Sequence, residues 1–207
     1  MSLFKAEFNR NPSKPRLLAL FSPTCEGCIY GAKALQHEAQ KMSGVVQSTE
    51  LLIVWVYMLD TDNEVEGRKA AERFDFPGVR HFYDDKNEVG RLLMAEHLAN
   101  AFRDALATLP ADHPMRKNLE KKQHLPPEKM RVWDSVMIFP PGVRWGERSP
   151  KPDWWTIQTG SRIEEKPGER KVVFWKNKLP VGSDWYDEAR EALGVAQRES
   201  VGVKSLE

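Results

Sequence analysis

Cys25 and Cys28 are the only cysteines in the 207-residue chain, with two residues between them. Two thiols at that spacing suit thiol–disulfide exchange, half of a soft-metal site, or plain packing as small buried residues. A structural staple is the poorest reading, because a disulfide there closes a tiny loop and constrains little of the unfolded chain. Their setting favours exchange. LLALF, residues 17–21, is a short apolar run between Pro15 and Pro23 and predicts a buried strand. Ser22, Pro23 and Thr24 then turn the chain. Cys28, Ala32, Leu35, Ala39 and Met42 follow at spacings of four and three, the buried stripe of a helix ending near Gly44. Cys25 falls at the helix N-terminus, where unpaired N–H groups and the dipole favour a thiolate. Such a setting brings a cysteine from ~8.5 down to ~3.5–7.5. Cys28, one turn further in, is placed to attack a mixed disulfide held on Cys25. Glu26 lies between them, and a neighbouring carboxylate disfavours the thiolate. The pair is therefore expected to be relatively reducing.

The other elements must position this pair. LLIVWVYML, residues 51–59, predicts a second buried strand. Thr61 to Glu64 has capping-box spacing, and Val65, Ala70, Ala71 and Phe74 predict an amphipathic helix after it. Pro77-Gly78 breaks that helix, and residues 79–83 (VRHFY) predict a strand. Asp85 with Glu88 suggests a helix start, continuing to Pro110. Residues 110–131 read as a solvated, basic helix and loop. VWDSVMIF, residues 132–139, predicts a strand, with Val143 to Trp145 returning as its hairpin partner. Residues 154–160 and 171–176 look extended, and Ser183 or Asp184 caps a last helix through Leu193. Helices alternating with strands in the first half predict an α/β fold with a parallel pair; the second half predicts antiparallel additions.

Strand, Ser-Pro-Thr-Cys-x-x-Cys, long helix, strand and helix in that order resemble the thioredoxin-like superfamily. Residues 54–62, 79–93 and 133–145 resemble the order in its peroxiredoxin and TlpA-type branch, with an extra strand–helix unit before the strand facing the active site. The chain is also similar to uncharacterised bacterial thioredoxin-like proteins sharing SPTCxxC, here residues 22–28, with RHFxD at 80–84, WDxxxxF at 133–139 and PxPxxW at 150–155. The resemblance implies a central mixed sheet flanked by helices. It divides the chain into residues 1–149, a thioredoxin-like domain with an insertion near 78–131, and residues 150–207, a β-rich extension packed on it. It implies that Cys25 is the nucleophile and Cys28 the resolver, with no bound cofactor. Thr24 stands where thioredoxins have tryptophan, and Ala19 where they have a buried acid. Residues 132–135 carry no proline where thioredoxins have one in the cis form, so trans bonds are expected there. The Pro-x-x-x-Thr-x-x-Cys loop of peroxiredoxins is absent, which argues against a peroxidase.

Trp133 and Asp134 open the strand placed beside the cysteines. Asp134 could be the proton acceptor that Ala19 cannot be, or a strand-end carboxylate bonded to backbone. Arg80 and His81 are expected on the surface edge of the inserted strand. His37, His97, His113 and His124 are too scattered for zinc. Six of the seven tryptophans lie from Trp133 onward, as core of an appended sheet or as a hydrophobic groove; neighbours in a strand, Trp154 and Trp155 must face opposite ways.

A net charge of +1 gives no global field for nucleic acid. No apolar run reaches the ~18 residues of a membrane helix. The N-terminus has no apolar secretory core. The compartment is cytoplasmic for the chain as it stands, and periplasmic or exported if a signal preceded it. The expected function is a thiol–disulfide oxidoreductase acting on a protein or small-molecule disulfide, with an electron-donating partner. The alternative is a binding module or soft-metal carrier on the same fold.

Overall fold

The computed structural model of the protein describes residues 1–41, 48–99, 120, 126, 132, 134–166, 169–176 and 179–180. Its elements are α1 (Ser2–Phe8), β1 (Arg16–Phe21), α2 (Glu26–Lys41), β2 (Glu50–Val56), α3 (Glu64–Arg73), β3 (Val79–Asp84), α4 (Glu88–Leu93), a π-helical turn (Met94–Leu98), β4 (Ser135–Phe139), β5 (Trp154–Lys166), β6 (Glu169–Lys176) and β7 (Leu179–Pro180). The strands form one mixed sheet in the order β3-β2-β1-β4-β5-β6-β7. β1 runs parallel to β2 and β2 to β3, while β4 is antiparallel to β1. This is the α/β fold, a central mixed sheet flanked by helices, that the sequence predicts. β5 and β6 extend the same sheet antiparallel to β4.

Every residue of β1, β2 and β4 is buried, as continuous apolar runs require of strands covered on both faces. Alternation then sorts them. Leu17, Ala19, Phe21, Ile53, Val136 and Ile138 pack with α2 and α3; Leu18, Leu20, Leu52, Met137 and Phe139 pack with α1 and α4. Trp154 joins the first layer and Trp155 the second, so both are core and they face opposite ways. The predicted helical stripe is also core: Cys28, Ala32, Leu35 and Ala39 are buried on α2. Met42, the helix end at Gly44, residues 100–110, most of the basic stretch and the helix through Leu193 lie outside the described residues.

Several expectations are corrected. α1 precedes β1 where sequence reading placed only a polar lead-in. Its Phe4 and Phe8, four apart and so on one face, pack edge-on against Trp145, with ring centroids 5.3 and 5.4 Å away. Residues 143–145 are not a hairpin strand, because other partners hold them. Asn9 brackets Trp145, donating to its carbonyl at 2.9 Å and accepting from its N–H at 2.8 Å. The guanidinium of Arg16, fully buried, donates to the carbonyls of Phe8 (2.9 Å), Lys14 (3.1 Å), Pro140 (3.0 Å) and Val143. Burial lowers its pKa to about 10, against an opposing pull from Glu50. β4 takes β5 as its second neighbour instead. It starts at Ser135, not at residue 132, after Asp134 in the left-handed region at φ 48°.

β2 ends at Val56 rather than running to Leu59, because the N–H groups of Met58 and Leu59 turn onto Asp62. Asn63, not Thr61, caps α3, accepting from Glu66 N at 3.1 Å. Val65 is 60% exposed, so only Ala70, Ala71 and Phe74 carry that helix's apolar face. Asp84 rather than Asp85 receives the first N–H groups of α4, from Glu88 and Val89, each at 2.9 Å.

Candidate functional site

Strand β1 ends at Phe21 and α2 begins at Glu26, so four residues, Ser22 to Cys25, make the turn. Cys25 is half-buried and Cys28 fully buried, and no disulfide joins them. The helix starts on the first thiol: Ile29 N donates to Cys25 O at 3.0 Å. Cys25 is therefore the residue at the helix N-terminus, as the spacing predicts. Cys28 lies one turn on, its thiol hydrogen-bonded to Cys25. Burial foremost, then that bond and the nearby Asp134 carboxylate, push the Cys28 thiol well above its ordinary pKa. The first cysteine is partly exposed, and the second is kept protonated beside it.

Asp134 enters from the strand next to β1, on the side away from β2. It is 0% exposed, at the residue before β4, which pairs with β1. A methyl placed on Gly31 would stand 3.2 Å from Asp134 Oδ1 and 3.0 Å from Phe21 Cε1. Gly31 is one turn beyond Cys28 on α2, so the carboxylate is tucked against the helix at the second cysteine's level. Ala19 is fully buried on the same side of β1, with no acid to offer. Among the described residues no peptide bond is cis. Trp133 lies outside the described residues.

Glu26 is exposed as the first residue of α2, where a carboxylate also suits the helix dipole. Thr24 is half-buried and tied to a residue that sequence reading passed over. Asp62 accepts from Thr24 Oγ1 (2.5 Å), Thr24 N (3.2 Å), Ser22 Oγ (2.8 and 2.9 Å), Met58 N (2.7 Å) and Leu59 N (2.8 Å). Burial would raise its pKa, but these donors outweigh burial and hold it below the usual carboxylate value. Thr24 gives its hydroxyl proton to Asp62, so Thr61 must donate in their 2.5 Å contact. The signal in sequence was only an aspartate after a strand, and two of its partners, Ser22 and Thr24, lie 40 and 38 residues earlier.

Other candidates stand apart from the cysteines. Arg80 is not a bare surface residue: it pairs with Glu7 and Glu50 and joins α1 to β2 and β3. His81 accepts at Nδ1 from Trp55 Nε1 at 3.1 Å and stacks on that indole. Burial lowers its pKa, which favours the neutral ring. His97 meets the carbonyl of Ser149 at 2.7 Å, tying the π-helical turn to the loop before β5. A cavity of about 690 Å³, lined in part by Lys14, Thr49, Phe76 and Arg80, includes none of the predicted site residues. No described helix is long and apolar enough to cross a membrane.

No protein-family model matches the chain. No curated protein matches it either. Among solved structures, the solution structure of a thioredoxin-like protein in the oxidized form aligns over 63% of this chain at 12% identity, with a TM-score of 0.33; the match spans 63% of that protein's length.

Proposed function

We propose that the protein is a thiol–disulfide oxidoreductase in which Cys25 is the attacking thiol and Cys28 the resolving one. The observation that carries this reading is the asymmetry of the pair. Cys25 is accessible at the N-terminus of α2, while Cys28 is buried, protonated and bonded to it. The Cys25 thiolate attacks one sulfur of a substrate disulfide. A mixed disulfide forms, and the other substrate sulfur leaves as a thiolate that takes up a proton. Cys28 then gives its proton to Asp134 and attacks Cys25 Sγ. The second substrate thiolate leaves, and the Cys25–Cys28 disulfide remains. The two electrons come from the Cys25–Cys28 dithiol, which an external dithiol reductant restores. Asp134 supplies from the edge of β4 the buried carboxylate that Ala19 does not provide.

Thr24 and Trp133 are read as facing the substrate, and Glu26 as tuning the potential by opposing charge on Cys25. The extra strand–helix unit, β3 with α4, supports a place in the peroxiredoxin and TlpA-type branch. The pairing of β5 onto β4 supports residues 150–207 as an extension on a domain of residues 1–149.

Equilibration with glutathione and a reductase assay test this reading. The unmutated chain should reduce a protein disulfide, with a potential below about −200 mV. Cys25→Ser should abolish turnover, and Cys28→Ser should stall it with substrate bound to Cys25. Glu26→Gln should make the pair more oxidising. No turnover in the unmutated chain, together with tight binding of a soft metal ion, would establish the carrier reading instead.

A further inference from the structure

Asp62 joins two segments that meet beside the accessible thiol. Met58 and Leu59 reach it from the chain leaving β2, and Ser22 and Thr24 from the turn before Cys25. The bonds form a line. Ser22 has one hydroxyl proton and gives it to Asp62, so its lone pairs are left to accept. The group that they accept is the backbone N–H of Cys25, at 3.2 Å. Asp62 thus fixes Ser22, and Ser22 fixes the backbone of Cys25. Thr24, directly before the cysteine, is held by two further bonds. These donors keep the carboxylate ionised, and their dipoles screen part of its field.

We infer that Asp62 is a positioning residue for Cys25: through Ser22 and Thr24 it holds the thiol against the N-terminus of α2, where the thiolate is stabilised. The inference rests on the exchange reading above and adds a residue outside the cysteine helix to its machinery. A bare charge and a positioning clamp act in opposite directions. A carboxylate acting only by its field raises the thiol's pKa, and removing it lowers that pKa. A carboxylate that holds the thiol in the helix field lowers the pKa, and removing it raises the pKa.

The test is the rate of alkylation of Cys25 by iodoacetamide against pH, read by mass spectrometry on the full reduced chain. Cys28 is the folding control, because it stays unalkylated while buried. Asp62→Ala should raise the midpoint for Cys25 by about one pH unit, toward the value of an unperturbed thiol. Ser22→Ala, which leaves the carboxylate in place, should shift it the same way. A midpoint that falls or stays still in Asp62→Ala overturns the inference. If Asp62→Ala exposes Cys28, the Ser22→Ala result decides, and an unmoved midpoint there overturns it. Disulfide reduction is scored separately. Shifted midpoints in a chain without reductase turnover uphold Asp62 and remove the exchange reading. Normal turnover with unmoved midpoints removes Asp62 and keeps that reading.

Discussion

Gly31 and Asp134 are in contact across the boundary between α2 and the start of β4: the glycine Cα is so close that an added methyl would lie 3.2 Å from the carboxylate. The same methyl would lie 3.0 Å from the Phe21 ring. A glycine inside a helix costs about 1 kcal/mol relative to alanine. Here it admits the acid and the ring to the level of Cys28. Gly31→Ala should therefore destabilise, by about 1–2 kcal/mol after the helix gain, because overpacking a rigid site outweighs propensity. Urea denaturation checks this, and a more stable Gly31→Ala protein would show that the contact is loose.

Removing the acid tests its role in resolution. Asp134→Asn keeps the shape of the side chain and removes the proton acceptor. The first step, attack by Cys25, should be unaffected. The release of the second substrate thiol should slow by about a hundredfold near neutral pH, the usual scale for losing a general base. Rapid-quench trapping of the mixed disulfide reads both steps. Equal release rates would place Asp134 among structural groups.

The elevated Cys28 pKa has a thermodynamic counterpart. The folded thiol keeps its proton well above 9.0, the ordinary value at which the unfolded chain loses it. Below that value both states are protonated and the stability is fully present. Above it the unfolded state releases a proton that the folded state retains, so stability falls as pH rises. Unfolding under reductant from pH 7 to 10 should show that decline. Cys28→Ala should remove part of it, and an identical slope in the variant would contradict the burial of a protonated thiol.

Arg16 should be among the most sensitive positions for folding. Arg16→Met retains the aliphatic stem and strips four carbonyls of a donor, among them those of Phe8, Pro140 and Val143. Each buried acceptor left without a partner costs about 1–3 kcal/mol, so a loss of several kcal/mol is expected. A shift in the urea midpoint measures it, and near-normal stability would show that water replaces the guanidinium.

The strands were legible because their apolar runs are buried on both faces, and the cysteine helix because Cys28, Ala32, Leu35 and Ala39 repeat on one side. What escaped was whatever depends on partners far along the chain. Asp62 looks like part of a capping box until Ser22 and Thr24, about forty residues earlier, are brought against it. Residues 143–145 look like a returning strand until Arg16 and Asn9 claim their backbone. Phe4 and Phe8 had helical spacing, but a single pair in a polar stretch is weak until Trp145 supplies the surface they cover. Asp134 was singled out for its place before a strand; its burial and its left-handed backbone could only be seen in three dimensions.

The clasp between Asn9 and Trp145 joins residues 136 positions apart. This sets an order of events as the chain emerges from the ribosome. α1 is made well before Phe139 and Trp145, and although Phe82 can meet Phe4 earlier, the cover over Phe4 and Phe8 is complete only when those two have left the exit tunnel. At ~5–20 residues per second, that leaves the two aromatic rings partly uncovered for several seconds or more. α1 is thus made long before its cover is complete, and during that interval it is a natural place for a chaperone to hold the chain.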